Sequence, residues 1–188
     1  VGNLVADPQI RYQTNPVLPI ADITVATHSR WFDKASNGYK EWTSFHSVKV
    51  IGAIVEQALL HAKKGEVILL QGYLTDARSS SKNFLIANFV QTFAKGYSQE
   101  VNQLHCSGHL ASPVSLKTTE NNKQFTEINI TINQQVISPV TQKVQKISLE
   151  RSVHIWGKQA QYLAEHASIG DQLIIEGKLN YLNNKDKL

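Results

Sequence analysis

Cysteine is nearly absent from this chain: Cys106 is the single one in 188 residues. An intramolecular disulfide is therefore excluded, a reducing compartment fits, and Cys106 is expected to be a small buried hydrophobe. Long apolar runs are also missing, and none approaches the roughly 20 residues of a membrane-spanning helix. No membrane partner is expected, and the location implied is the cytoplasm. Catalytic motifs are missing as well. The sequence has no G-x-x-x-x-G-K-[ST] phosphate loop, no C-x-x-C and no H-E-x-x-H. His105 and His109 have ligand-like spacing, but they flank Cys106 in what reads as a strand, and nothing nearby completes a zinc set. The expectation is no cofactor, no metal and no enzymatic activity. Strong charge of one sign is lacking too. Lys and Arg number 19 against 15 Asp and Glu, a formal charge of +4. Such a surface permits an anionic partner without requiring one. Residues 1–98 hold 10 basic and 7 acidic residues, the remainder 9 and 8, so any attraction tilts slightly toward the first half.

What the chain does have is a sequence written twice. Ser47-Val48-Lys49-Val50-Ile51-Gly52 returns as Ser152-Val153-His154-Ile155-Trp156-Gly157, at an offset of 105 residues. The same offset relates Lys64–Leu74 to Ile169–Leu179, Ala21–Val25 to Thr126–Ile130, and Pro8 to Pro113. A period this long is the size of a small domain rather than of a solenoid repeat. With 41% hydrophobic and 18% charged residues, the composition is that of a folded chain and not of a disordered one. Each half can bury a small core of its own. The division expected is domain 1 over residues 1–97, a polar linker at 98–103, and domain 2 over 104–188.

The periodicity is mostly that of strands. Ile23–Thr27 and Phe45–Ile51 alternate apolar with polar residues, as half-buried strands do. Val67–Leu70, bounded by Gly65 and Gly72, reads as a strand buried on both faces, and Phe84–Val90 reads as another strand. Ala53–Ala62 has helical composition and ends at Lys63-Lys64-Gly65, a helix C-terminus signal. Its counterpart is Gln159–Ala167. Gly2-Asn3-Leu4 looks like the end of a first strand. Each half then runs strand, strand, strand, helix, strand, strand, the order of the OB-fold. The fold class is all-β with short helices: two tandem OB-fold, five-stranded Greek-key barrels. The second lacks its last strand, because the residues matching Phe84–Lys95 would fall at 189–200.

Candidate functional residues are aromatics interleaved with cations. In the first half they are Trp31, Lys34, Lys40, Trp42, Phe45 and Lys49, with Tyr73 and Arg78 further on. Phe45, Ser47, Lys49 and Ile51 share one face of a strand, and His46, Val48 and Val50 share the other. An aromatic ring beside a lysine on an open sheet face suits a base stacked on the ring with its phosphate near the ammonium. In the second half that face carries Glu150, Ser152, His154 and Trp156, followed by Lys158. Against this stands a plainer account. Large aromatics usually fill cores or interfaces, and Lys34 and Lys40 fit a solvated hairpin turning at Asn37-Gly38.

At these residues the chain resembles bacterial-type single-stranded DNA-binding proteins. Gly2-Asn3-Leu4, Asp7-Pro8 and Arg11-Tyr12 are similar to the family's opening motif. Ile23–Thr27, Trp31, Asp33-Lys34, Phe45–Val48, Gly52 and Lys64-Gly65 through Gly72 follow in order. The second half resembles it more faintly, through Gly108-His109-Leu110, Pro113, Trp156-Gly157-Lys158 and Gly170 to Gly177. The resemblance implies sequence-independent binding of single-stranded DNA in replication, recombination or repair. It further implies a homodimer presenting four OB-folds, replication or repair proteins as partners, and association with the nucleoid. Trp31 and Phe45 fall on family positions where aromatics stack bases, and Ile51 and Trp156 fall on a third. Val136 stands opposite Trp31 and Glu150 opposite Phe45, so the second copy departs from the pattern. An alternative is a bridging protein of the primosome type, resembling PriB, in which DNA binding is secondary. RNA remains open as a ligand, since OB-folds bind both nucleic acids.

Overall fold

The computed structural model describes residues 1–34, 36–76, 83–98 and 101–180. Among them, no helix is long and apolar enough to cross a membrane. The chain divides into two compact units: Val1–Asn102 with Ser138–Lys143 and Lys178–Leu188, and Gln103–Ile137 with Val144–Gly177.

Unit 1 is a closed barrel. Its strands are β1 (Gly2–Leu4), β2 (Gln9–Thr14), β3 (Val17–Asp33), β4 (Gly38–Ile51), β5 (Glu66–Asp76) and β6 (Asn83–Lys95), with helix α1 (Ile54–Leu59) between β4 and β5. The strand order is β1-β5-β6-β4-β3-β2, and β1 also pairs with β3 to close the ring. β4 and β6 run parallel, while the other neighbours are antiparallel. This is the OB-fold Greek key. The strand β2 was not foreseen. It continues β1 along the same edge of β3 after a bend at Val5–Pro8. Asp7 fixes that bend by accepting the Lys64 backbone N–H at 2.7 Å and the Lys63 ammonium at 3.4 Å. The Lys64 N–H is the main reason its carboxyl sits below the usual carboxylate range.

Alternation on β3 and β4 builds the core. Ala21, Ile23, Val25, Val48 and Val50 point inward and meet Leu4, Val55, Leu59, Ile68 and Ala87. The run Val67–Leu70 is less buried than its composition suggests. Ile68 is fully buried, but Val67, Leu69 and Leu70 are half-buried, because the second face of β5 is only partly covered.

Unit 2 repeats the plan with β7 (Leu104–Leu110), β8 (Leu116–Thr118), β9 (Gln124–Ile137), β10 (Val144–Trp156), α2 (Lys158–His166) and β11 (Gln172–Gly177). The order is β10-β9-β7-β11, with β8 pairing β9. No counterpart of β6 occurs among the described residues. The backbone repeats in detail. Gly52 and Gly157, and likewise Gly65 and Gly170, all take positive φ (93°, 64°, 86° and 95°), a region open to glycine.

The ladders correct the sequence alignment in one place. Gly65 donates its N–H to the Leu4 carbonyl, and Gly170 donates to that of Leu110. Val5 donates to Thr24, and Ala111 to Asn129. Hydrogen-bonding position, not residue similarity, defines equivalence, so the first two strands are offset by 106 residues and the later ones by 105. Pro8 therefore matches Val114 and not Pro113. Cys106 is also corrected: on β7 it is half-buried rather than buried. Desolvation there still pushes its thiol up, which slows thiolate chemistry.

Candidate nucleic-acid interface

β3 and β4 outrun the barrel and form a long hairpin whose register is unbroken from Ile20↔Ile51 to Asp33↔Gly38. Alternation along such a ladder sorts every side chain to one of two faces. The face carrying Val25, His46 and Val48 is core, and past the rim it continues as Ser29, Trp31, Lys40 and Trp42. The other face carries Asp22, Lys49, Thr24, Ser47 and Phe45, and continues to Arg30, Phe32 and Tyr39. The pairing thus brings Trp31, Lys40 and Trp42 together on one face, and leaves Phe45 and Lys49, with Ser47 between them, on the other. Core burial does not account for these rings. Trp31 is 46% exposed, Trp42 59% and Phe45 57%.

Each set has its own electrostatics. Lys40 ion-pairs with Asp33 at 2.5 Å, and Ser36 donates to the same carboxylate at 2.8 Å. These bonds tie the hairpin turn, in which Asn37 takes φ 48°. Trp31 and Trp42 line an open groove of about 490 Å3 together with Ser29, Arg30, Lys178 and Asn180, all members of unit 1. Lys34 is exposed in the turn.

On the Phe45 face, Asp22 is a hub. Arg11 reaches it at 2.6 Å from β2, and Lys49 at 3.8 Å from β4. Two cations thus share one carboxylate, leaving a net positive charge on the face that also carries Phe45. Tyr73 stands apart from this group. It lies on β5, and β6 separates that strand from β4. It is half-buried, and desolvation raises its phenol. Arg78 lies outside the described residues.

In unit 2, Glu150, Ser152, His154 and Trp156 all face solvent from one side of β10. Trp156 is 51% exposed and stacks on its ladder partner Phe125, with centroids 4.9 Å apart and planes 26° apart. The Lys117 ammonium lies 5.9 Å from the Phe125 centroid. Phe125 and Lys117 escaped the sequence reading because only cross-strand pairing joins them to Trp156. A second hub repeats here. Glu127, the equivalent of Asp22, receives Lys117 and His154, each at 3.6 Å, and accepts a bond from Ser152 at 3.1 Å. The Ser152 bond, opposed by burial and assisted by the two cations, draws the Glu127 carboxyl below its ordinary value. Lys158 is exposed and opens α2, where a cation opposes the helix dipole. Helix stability therefore gives no reason for a lysine there.

Among the described residues, no group of three or more His, Cys, Asp or Glu side chains is placed to hold a metal ion. His105 and His109 point to solvent from β7.

The chain is similar in fold to the single-stranded DNA-binding protein of Thermus aquaticus. Against a deletion variant of that protein the TM-score is 0.76 at 23% identity, covering 95% of this chain and 83% of the other. Against the wild type it is 0.73 at 23% identity, covering 95% and 82%. A sequence model described as the single-strand binding protein family matches residues 1–85 and 101–188. With both repeats inside the match, the chain belongs to the single-strand binding protein family.

Proposed function

We propose that this chain binds single-stranded DNA without sequence preference, through stacking on the rings of the β3–β4 hairpin and of the Trp156 ledge. The observation that carries this reading is Phe45: an exposed ring on an open sheet face, two side-chain steps from Lys49 with Ser47 between, at a family stacking position. A base covers the ring. The phosphate next to it competes with Asp22 for Lys49 and Arg11. Trp31 and Trp42 take bases on the hairpin's other face, with Lys34 nearby and Lys40 holding the turn. In the second domain, Trp156 and Phe125 form one platform flanked by Lys117 and Lys158. Arg78 and Tyr73 complete the proposed set. The proposed domains are residues 1–97 and 104–188 joined by 98–103. Two chains associate to present four OB-folds, and the protein works at the nucleoid in replication, recombination or repair.

Base stacking on aromatics is worth roughly 1–3 kcal/mol per base and tolerates any sequence, while the phosphate contacts make affinity fall with salt. The test is tryptophan fluorescence titrated with oligo(dT) at low and high salt, with light scattering for mass. Stoichiometric quenching by a dimer supports the reading. Absence of binding even at low salt would move the function to protein bridging.

A further inference from the structure

The outward face of the hairpin does not end at Phe45. Unbroken alternation carries it past the pair His28↔Thr43 and the pair Arg30↔Glu41 to Phe32↔Tyr39 at the tip. Tyr97 lays its ring against His28, with centroids 6.0 Å apart and planes 23° apart. At the tip the Arg30 guanidinium lies 4.3 Å from the Tyr39 ring centroid. Phe32 meets the same ring edge-to-face at 5.4 Å. Phe32 is 49% exposed and Tyr39 65%. Tyr39 and Phe45 are six positions apart on β4, a run of about 20 Å.

The fold does not require these rings. The same ladder position in unit 2 is Ile137↔Val144, an exposed aliphatic pair that closes an equivalent hairpin. Where unit 1 has Arg30↔Glu41, unit 2 has Gln135↔Lys146. Two rings and a guanidinium assembled in solvent, at positions where two aliphatic residues suffice, point to a ligand with flat faces and negative charge. Arg30 bonds Glu41 through Nε at 3.6 Å. The planar guanidinium fork fits phosphate oxygens.

We propose that Arg30, Phe32 and Tyr39 form a second stacking station for the strand that Phe45 holds. The station lengthens the footprint of unit 1 along the hairpin, and Tyr97 on His28 lies between the two. The proposal rests on the DNA-binding reading above.

The test compares the full chain with a Phe32→Ser/Tyr39→Ser variant and with Arg30→Gln. The probes are labelled oligo(dT), one short enough for a single station and one long, together with poly(dT) for the occluded length. The double variant is expected to bind the long oligonucleotide about tenfold more weakly or worse and to occlude fewer nucleotides of poly(dT). Its affinity for the short probe stays near wild type, and Tyr39→Phe restores the long-probe affinity. Arg30→Gln, which leaves both rings in place, weakens long-probe binding and flattens its salt dependence, and it decides the matter should the double variant fail to fold. Unchanged long-probe affinity and occluded length in both variants overturn the proposal while leaving the DNA function intact. A wild type that binds no probe overturns the DNA reading and the proposal with it.

Discussion

β3–β4 of the first unit and β9–β10 of the second share one register, Ile20↔Ile51 matching Phe125↔Trp156. On that common ladder the exposed aromatic rings are distributed in opposite ways. The first unit has its rings out along the hairpin, at Trp31, Trp42, Phe45, Phe32 and Tyr39. The second has Val136, Ile147, Glu150, Ile137 and Val144 there, and puts its rings at the base, on Phe125 and Trp156. The carboxylate hub is held in both, as Arg11–Asp22–Lys49 and Lys117–Glu127–His154. An exposed ladder face can thus carry its aromatic rings at different places without disturbing the barrel beneath it, because those side chains carry none of the core.

The comparison breaks most sharply at a glycine. A Cβ at Gly72 would come within 2.1 Å of the Ile86 carbonyl oxygen across the β5–β6 bulge, whereas at its equivalent, Gly177, it would meet nothing within 4 Å among the described residues. The obstacle at Gly72 is backbone, which does not rotate aside. Gly72→Ala is expected to cost roughly 1–3 kcal/mol or more, and Gly177→Ala within about 0.5 kcal/mol of zero. Denaturant titration of this 188-residue chain reads both. Equal losses would mean the repeat constrains that position for a reason other than strand packing.

Next in size is the exchange of stacking residues. Phe45→Ala should weaken oligo(dT) binding about tenfold, the low end to middle of stacking energies. Glu150→Phe places a ring at the equivalent second-unit position and removes a repelling charge, so affinity should rise. Titration at one fixed salt concentration checks both. A Glu150→Phe chain no tighter than wild type would show that the second unit lies off the strand's path.

Much of this was legible in sequence, for a physical reason: half-buried strands advertise themselves by alternation. The repeat follows from similarity at a fixed offset, both helices from composition and a glycine stop, and the barrel order with the outward pointing of Phe45 and Lys49 from period-two patterns. Two kinds of fact were not legible. Short strands such as β2 and β8 bury too little to leave a pattern. Relations across strands depend on register, which no single strand encodes. That is why the sequence groups Trp31 with Phe45 although the ladder puts them on opposite faces, and why it does not reveal Phe125, Lys117 or the two hubs. It also explains the single-residue error in aligning Pro8 with Pro113: residue similarity matched what the hydrogen bonds do not.

The hubs give a smaller effect. Asp22 holds two cations that a phosphate needs, so Asp22→Asn should tighten binding several-fold at low salt and steepen the salt dependence as more cations reach the strand. His154→Lys should have the same sign in the second unit, since a histidine carries charge only when protonated. A weaker Asp22→Asn complex would mean the carboxylate positions Arg11 and Lys49 for the ligand instead of competing with it.

The smallest expected effect is on acid stability, and its sign is fixed by the direction of two shifts. The carboxyls of Asp7 and Glu127 are drawn below their ordinary values of 3.8 and 4.5. A carboxyl with a depressed folded value contributes stability that is complete above its unfolded value and disappears as pH falls through the folded one. Stability should therefore be flat from neutrality down to about pH 5 and decline below it. Both groups are largely solvated, so each contributes little. Asp7→Asn keeps an acceptor for the Lys64 N–H but removes the titration, and should shallow the decline in the unit 1 transition alone. Glu127→Gln should do so in the unit 2 transition alone. Thermal melts from pH 7 to pH 3 separate the two, provided each unit melts on its own. A single transition shallowed equally by either change would show that the two barrels unfold as one.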